Sequence, residues 1–109
     1  MELLGAIALV TGGGRGLGRA FAQAIAGAGA KIAITARTES QLLETAQLIE
    51  AAGGTVLPFV ADVTNAPAMQ RVIDETARRL GPIDILVNNA GVLAPLGFDW
   101  EVDPDEWWR

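Results

Sequence analysis

A glycine-rich segment near the start of the chain is the first feature whose residue types could do chemistry. It reads Thr11-Gly12-Gly13-Gly14-Arg15-Gly16-Leu17-Gly18. It follows an apolar run at residues 6–10 and precedes a stretch with apolar residues at helical spacing. Glycine allows positive φ and close approach to the backbone, and the N-terminus of a helix offers unpaired N–H groups to a phosphate. The segment therefore suggests the binding of a diphosphate.

The spacing of the glycines decides which kind of phosphate loop this could be. A Walker loop is excluded because Arg19 stands where that motif requires Lys. The G-x-G-x-x-G pattern, started at Gly12, also fails because Leu17 occupies its last position. What remains is T-G-x-x-x-G-x-G, which taken alone also fits a flexible turn between a strand and a helix.

Arg37, at the end of the second predicted strand, is the next candidate. Dinucleotide folds contact the adenosine ribose about 20 residues beyond the glycines, where a carboxylate favours a free 2′-hydroxyl and Arg accepts a 2′-phosphate. Arg37 is followed by Thr38, and the first carboxylate, Glu39, is already inside the predicted helix. With Arg15 as a second positive charge, this arrangement favours NADP(H) over NAD(H), although NAD(H) stays possible. The alternative is a solvated surface arginine.

Two adjacent amides follow the fourth predicted strand, in the sequence Asn88-Asn89-Ala90-Gly91. In an open parallel sheet, ligands gather at the carboxyl ends of the strands. The two side chains could therefore link strand ends to a ribose or to the backbone. By itself the segment also fits an ordinary turn.

Short apolar runs alternate with amphipathic stretches, which is typical of an α/β fold with a parallel sheet. We predict strands at residues 6–10, 31–36, 55–61 and 84–87, with helices between them. Thr38 and Gln41 have the spacing of a capping box, and Pro58 predicts an edge position for the third strand. The third predicted helix has an inner face formed by Met69, Val72, Ile73, Thr76 and Leu80.

The composition excludes several classes of function. A net charge of −5 disfavours nucleic-acid binding, which needs a basic face, and the absence of Cys and His excludes zinc sites with those ligands. No run approaches the roughly 18 apolar residues of a membrane span, and no basic segment precedes the first apolar run as in an export signal. The acidic residues 99–106 do not fit an EF-type loop because Pro104 stands where glycine is required. We therefore expect a cytoplasmic protein with no metal site, no nucleic-acid partner and no membrane segment.

Three motifs together resemble the short-chain dehydrogenase/reductase family: T-G-x-x-x-G-x-G at residues 11–18, Asp62-Val63 after the third strand, and N-N-A-G at residues 88–91. The resemblance implies a Rossmann-like parallel sheet of strand order 3-2-1-4 with flanking helices, which binds a nicotinamide dinucleotide. It implies that the glycines line the diphosphate, that Asp62 and Val63 meet the adenine, and that Asn89 stabilises the sheet and borders the ribose. The predicted cofactor-binding residues are Gly12, Gly14, Arg15, Gly16, Leu17, Gly18, Arg37, Thr38, Asp62, Val63, Asn89 and Gly91.

The sequence departs from this family in its catalytic residues. Members carry a catalytic Ser and a Tyr-x-x-x-Lys segment, whereas this chain has no Tyr, and Ser40 stands at the start of the second predicted helix. Lys31 starts the second strand, about 16 Å from the expected cofactor edge. A helix start at Asp103 is followed by the last residue, Arg109. We therefore expect residues 1–109 to be a truncated N-terminal half of the family's domain, without catalytic residues and inactive by itself.

We therefore expect the complete enzyme to be an NADP(H)-dependent oxidoreductase that acts on a small alcohol or carbonyl compound, and we expect a homo-oligomer. Two other classes stay open. The first is a non-catalytic nucleotide-binding module, or half of a split enzyme that another chain completes. The second is a methyltransferase-like fold that binds S-adenosylmethionine at the glycines, which the N-N-A-G segment disfavours.

Overall fold

The computed structural model describes residues 2–89 and consists there of one parallel sheet with helices on both faces. The four strands lie in the order β3-β2-β1-β4, and every neighbouring pair is parallel. Their bounds are Ile7–Thr11 for β1, Lys31–Ala36 for β2, Val56–Val60 for β3 and Ile85–Asn88 for β4. The predicted strand order 3-2-1-4 is confirmed.

Three helices connect the strands. They are α1 at Gly16–Gly27, α2 at Glu39–Ala51 and α3 at Ala66–Arg79. The first two pack on one face of the sheet, where Ala22 of α1 and Leu42 of α2 join a buried cluster with Val10. The third packs on the opposite face, where Met69 and Val72 lie against Leu9.

The continuous apolar run of β1 follows from its central place in this three-layer arrangement. Ala8 and Val10 belong to the core under α1 and α2, whereas Leu9 belongs to the core under α3. All five residues of β1 are buried. A strand that is covered on both faces has no polar side, so its sequence shows no alternation.

Pro58 lies in β3, which is the edge strand on one side of the described sheet, as predicted. Proline has no N–H group to donate to a neighbouring strand, so an edge position leaves no ladder bond unmade. Within residues 2–89, β4 is the other edge and pairs only with β1.

Two sequence predictions about the helices are corrected by the structure, one on the start of α2 and one on the inner face of α3. The capping box at Thr38 is wrong: Thr38 is the N-cap of α2, but its side chain makes no capping bond, and Leu42 N–H bonds to its backbone carbonyl instead. In contrast, Asn65 caps α3, because its side-chain oxygen accepts a hydrogen bond of 3.0 Å from Ala68 N–H. Ile73 is also 39% exposed rather than part of the inner face of α3.

Small differences in strand bounds have a simple origin. The strand β3 is one residue shorter at each end than predicted, and β4 runs one residue further, to Asn88. Apolar runs mark where a strand is buried, whereas ladder pairing decides where it ends, and the two need not coincide. None of the helices within residues 2–89 is long and apolar enough to span a membrane.

Candidate functional site

The register of the sheet brings the carboxyl ends of the strands to one level. Thr11, the last residue of β1, is paired with Thr35 on one side and with Asn88 on the other. The same pairing continues from Thr35 to Phe59 in β3. The segments that follow the four strands therefore meet at one edge of the sheet, where ligands of such folds bind.

The glycine segment turns sharply from β1 into α1 at this edge. Gly12 and Gly16 have φ values of 70° and 58°, a backbone conformation that other residues adopt at a cost. The N–H group of Gly13 donates a 2.8 Å hydrogen bond to the carbonyl of Thr35, which fastens the turn to β2. Nothing among the described residues lies within 4 Å of the position that a Cβ on Gly16 would take. The turn is thus bonded to β2 on one side and leaves open space on the side of Gly16.

Gly18 makes the closest backbone approach in the site. A Cβ at this position would overlap the carbonyl oxygen of Gly12 and would lie 2.7 Å from the Nδ2 atom of Asn89. Only a residue without a side chain lets the first turn of α1 rest directly on the loop. Gly18 is therefore needed for space, whereas Gly12 and Gly16 are needed for their backbone angles.

A buried hydroxyl, that of Thr11, ties β4 to β1. Its Oγ1 atom lies 3.1 Å from Asn88 Oδ1 and accepts a 3.0 Å hydrogen bond from Asn89 N–H. The sequence motifs predicted Asn89 at this junction but did not indicate Thr11 as its hydrogen-bond partner. The hydrogen-bond partners of Thr11 lie 76 to 78 positions further along the chain, so no local pattern identified it.

Two positive side chains stand at the rim of the site. Arg15 is the N-cap residue of α1, and Arg37 follows the last residue of β2; both are exposed. Within residues 2–89, neither takes part in an ion pair. Within this part of the chain, their guanidinium groups are therefore accessible to a ligand.

Asp62 lies across from Arg37 and is held as a carboxylate. Its Oδ1 atom accepts hydrogen bonds of 2.9 Å from Thr64 N–H and 2.7 Å from the Thr64 hydroxyl. These bonds, the backbone bond first, lower the pKa of Asp62 below its ordinary value, and the charge of Arg37 lowers it further. Desolvation acts in the opposite direction but is outweighed.

Arg19 connects the glycine loop to α2. Its guanidinium donates hydrogen bonds to the carbonyl of Gly14, to the hydroxyl of Thr45 and to the carboxylate of Glu44. In the sequence, Arg19 is informative only because it excludes a Walker loop. A long side chain that reaches across two helices leaves no local pattern, so its partners became visible only in the structure.

Comparison with known proteins decides the family. A family model described as short chain dehydrogenase matches residues 6–109 of the chain. The chain belongs to the short-chain dehydrogenase family. The resemblance drawn from the three sequence motifs is thereby confirmed.

Individual members of this family show the same relation. A short chain dehydrogenase of Pseudocercospora fijiensis is 42% identical, over 99% of this chain and 35% of that protein. The homolog YusS of Bacillus subtilis is 39% identical, over 91% of this chain and 92% of that protein. A solved metagenomic short-chain oxidoreductase in complex with NADP is 34% identical, with a TM-score of 0.79, over 98% of this chain and 48% of that one. The chain thus spans less than half the length of two of these three proteins.

The residues at this edge fit the dinucleotide that the family implies. The loop is open above Gly16, and α1 begins there without a side-chain cap and without an acidic residue in its first turn. A helix N-terminus of this kind presents N–H groups and a partial positive charge to an anion. Leu17 is 58% exposed beside the loop and could cover an apolar part of the ligand.

The remaining residues that were considered as cofactor-binding or catalytic candidates lie in different parts of the fold. Thr38 and Val63 lie in the segments that follow β2 and β3 at the same edge, whereas Gly91 lies outside the described residues. Lys31 is paired with Ile7 at the opposite, amino end of the strands, as expected. Ser40 is in the first turn of α2. Within residues 2–89, no group of three or more acidic side chains could hold a metal ion.

Proposed function

We propose that this chain is the dinucleotide-binding domain of an oxidoreductase and that it binds NADP(H) in preference to NAD(H). The observation that carries the proposal is the meeting of the glycine loop and Arg37 at the carboxyl ends of adjacent strands. Hydride exchange with a small alcohol or carbonyl compound is the chemistry that a bound nicotinamide would supply.

The diphosphate would lie against the loop at residues 12–18 and the N-terminus of α1. The positive φ values of Gly12 and Gly16 shape this turn, and the absence of a carboxylate in the first turn of α1 leaves the end of the helix attractive to an anion. Arg15 stands at the same end of the helix. Backbone donors would therefore bind the phosphates, and one guanidinium would add charge.

The adenosine end of the ligand would lie between Arg37 and Asp62. A 2′-phosphate beside Arg37 would form a charge-assisted hydrogen bond, which is worth about 1.5–3 kcal/mol, or roughly 10–150-fold in affinity. Thr38 adjoins Arg37, and residues 35–38 at the end of β2 include no carboxylate that could bind a free 2′-hydroxyl. A metagenomic member of the family, which has a similar fold, was solved in complex with NADP, and this supports NADP(H) as the coenzyme.

Residues 1–109 alone would bind the coenzyme without turning it over. Reduction of a carbonyl needs a proton donor with a suitable pKa within hydrogen-bond reach of the substrate. The sequence has no Tyr, His or Cys, and its single lysine, Lys31, lies at the far end of β2. Asp62 is held ionised and therefore donates no proton near neutral pH.

One observation favours a second candidate, a binding module that acts with another chain. The relative YusS of Bacillus subtilis is matched over 92% of its own length, so a protein of similar size exists in the family. In this case, a separate chain carrying a Tyr-x-x-x-Lys segment would restore turnover when mixed with the present one. Coenzyme binding would be the same in both candidates.

Calorimetric titration of the full chain with NADPH and NADH tests the proposal. We expect both to bind, NADPH more tightly, and we expect Arg37→Ala to weaken NADPH by about 10-fold or more while changing NADH by less than about 3-fold. Arg79→Ala is the matched control, since Arg79 is exposed in the last turn of α3 and the change in net charge is the same. Absence of binding to either coenzyme would refute the proposal, and equal losses in both variants would refute the role of Arg37.

A further inference from the structure

The Gly14 carbonyl is held by two donors from different helices. Arg19 Nη2 on α1 donates a 2.8 Å hydrogen bond to it, and the Thr45 hydroxyl on α2 donates another of 3.1 Å. Arg19 Nε donates in turn to Thr45 Oγ1 at 2.8 Å. The three groups thus form a closed triangle, in which each is bonded to the other two.

This triangle fixes the direction of the peptide group between Gly14 and Arg15. The peptide is trans, so its carbonyl and its N–H group point in opposite directions. With the Gly14 oxygen turned inward towards Arg19 and Thr45, Arg15 N–H is directed away from them. A partial negative charge is also removed from the open side of the loop, where an anion would otherwise be repelled.

Close packing prevents the loop from relaxing further inward. A Cβ on Gly14 would lie 3.0 Å from the Cβ atom of Ala36 and 3.3 Å from that of Gln41. The backbone at Gly14 therefore already rests on β2 and α2. If the two donors were removed, the carbonyl would be free to rotate outwards but the chain could not move deeper.

Arg19 is not placed to bind a ligand itself. All three of its donor nitrogens are used within the protein, and only 23% of its side chain is exposed. Two further contacts remain: Nη2 donates a longer bond of 3.4 Å to the carbonyl of Gln41, and Nη1 forms a 2.6 Å ion pair with Glu44, 63% of whose side chain is exposed. Such exposed pairs contribute little. The contribution of Arg19 therefore comes chiefly from its two shortest uncharged contacts, those to Gly14 and Thr45 at 2.8 Å.

We propose that Arg19 is a positioning residue for dinucleotide binding, which with Thr45 turns the Gly14 carbonyl inward and the Arg15 N–H towards the diphosphate. This inference rests on the proposed function. It assigns to Arg19 a role that is separate from that of Arg37, because Arg19 acts on the diphosphate end and not on the adenosine end. Its loss should therefore be felt only by ligands that carry a diphosphate.

Two probes separate these ends: NADP⁺, which contains the diphosphate, and adenosine 2′-monophosphate, which lacks it. We expect Arg19→Met to weaken NADP⁺ by about 10-fold and to leave adenosine 2′-monophosphate within about 2-fold of the wild-type affinity, measured by NMR titration of the folded chain. Arg19→Lys keeps the charge but not the fork of donors, so it should restore only part of the affinity. Glu44→Gln is the matched control and should change neither affinity by more than about 2-fold.

A second pair of variants keeps the test decisive if Arg19→Met does not fold. Thr45→Val should weaken NADP⁺, and Thr45→Ser, which keeps the hydroxyl, should restore it. Unchanged NADP⁺ affinity in Arg19→Met, or in Thr45→Val, would overturn the inference, as would an equal loss for both probes, which indicates general damage to the fold. If the wild-type chain bound neither probe, the proposed function itself would fail.

Discussion

At the scale of single residues, the site depends on hydroxyl groups that hold other groups in place. Thr11 joins the ends of β1 and β4, Thr45 holds the Gly14 carbonyl, and Thr64 holds the Asp62 carboxylate. A threonine hydroxyl can donate one hydrogen bond and accept others at the same time. This makes it suited to the carboxyl ends of strands, where carbonyls, amides and carboxylates converge.

The effect of Thr64 on Asp62 gives a prediction for pH dependence. Thr64→Val removes the side-chain bond but keeps the N–H bond, so we expect the pKa of Asp62 to rise towards its ordinary value. The folded-state pKa is depressed, so the ionised carboxylate contributes stability above the unfolded-state pKa, and this is lost as the pH falls through the folded-state pKa. The part of the stability difference that comes from this bond to the carboxylate should therefore be lost as the pH falls, so the difference between the two proteins should become smaller in acid.

Titration of the Asp62 carboxyl ¹³C resonance measures this pKa directly. Thr55→Val is the control, since Thr55 is another exposed threonine whose side chain has no contact with Asp62 in the described hydrogen bonds. An Asp62 titration curve that is the same in wild-type and Thr64→Val proteins would show that the hydroxyl bond does not hold the carboxylate.

At the scale of elements, α1 has opposite requirements at its two ends. Its first turn is pressed against the loop at Gly18, where a Cβ would meet Gly12 and Asn89. Its last residue, Gly27, has no described atom within 4 Å of the position of a Cβ and has no positive φ. Gly18 is therefore required because a side chain would not fit, whereas Gly27 only makes the helix less stable than alanine would.

A pair of alanine substitutions should therefore act in opposite directions. Gly18→Ala should destabilise the fold by about 1–3 kcal/mol through overpacking. Gly27→Ala should stabilise it by about 0.5–1 kcal/mol, because alanine favours the helix and restricts the unfolded chain. Urea unfolding followed by circular dichroism measures both. Equal effects of the two substitutions would mean that Gly18 is not in close contact with the loop.

The sequence predicted the elements better than their ends. Apolar periodicity located four strands and three helices, because burial on both faces of the sheet imposes it on residues such as Leu9 and Leu42. The spacing of Thr38 and Gln41 predicted a side-chain cap that is not formed, because only the backbone carbonyl of Thr38 accepts a hydrogen bond from the helix. The cap at Asn65 was not predicted. Capping depends on a side-chain rotamer, which residue type alone does not fix.

At the scale of the molecule, strand order brings the three motifs and Arg37 to one edge of the sheet. Segments around residues 12, 37, 62 and 89 are far apart in the chain, but the order β3-β2-β1-β4 and the register bring the strand ends together. The sequence predicted that these segments would meet at one edge, because all four follow predicted strands. The links made by Arg19 and Thr11 could not be predicted, since they join residues 26 and 77 positions apart.

The central claim is that a nicotinamide dinucleotide binds at this edge of the sheet and nowhere else. The most direct test is a ¹H–¹⁵N NMR titration of the chain with NADPH. We predict the largest amide shifts at residues 12–18, with further shifts at residues 37–38 and 62–63, and none at Lys31 or Ile7, which lie at the amino ends of the strands. Shifts confined to the amino ends, or no shifts at saturating NADPH and NADH, would contradict it.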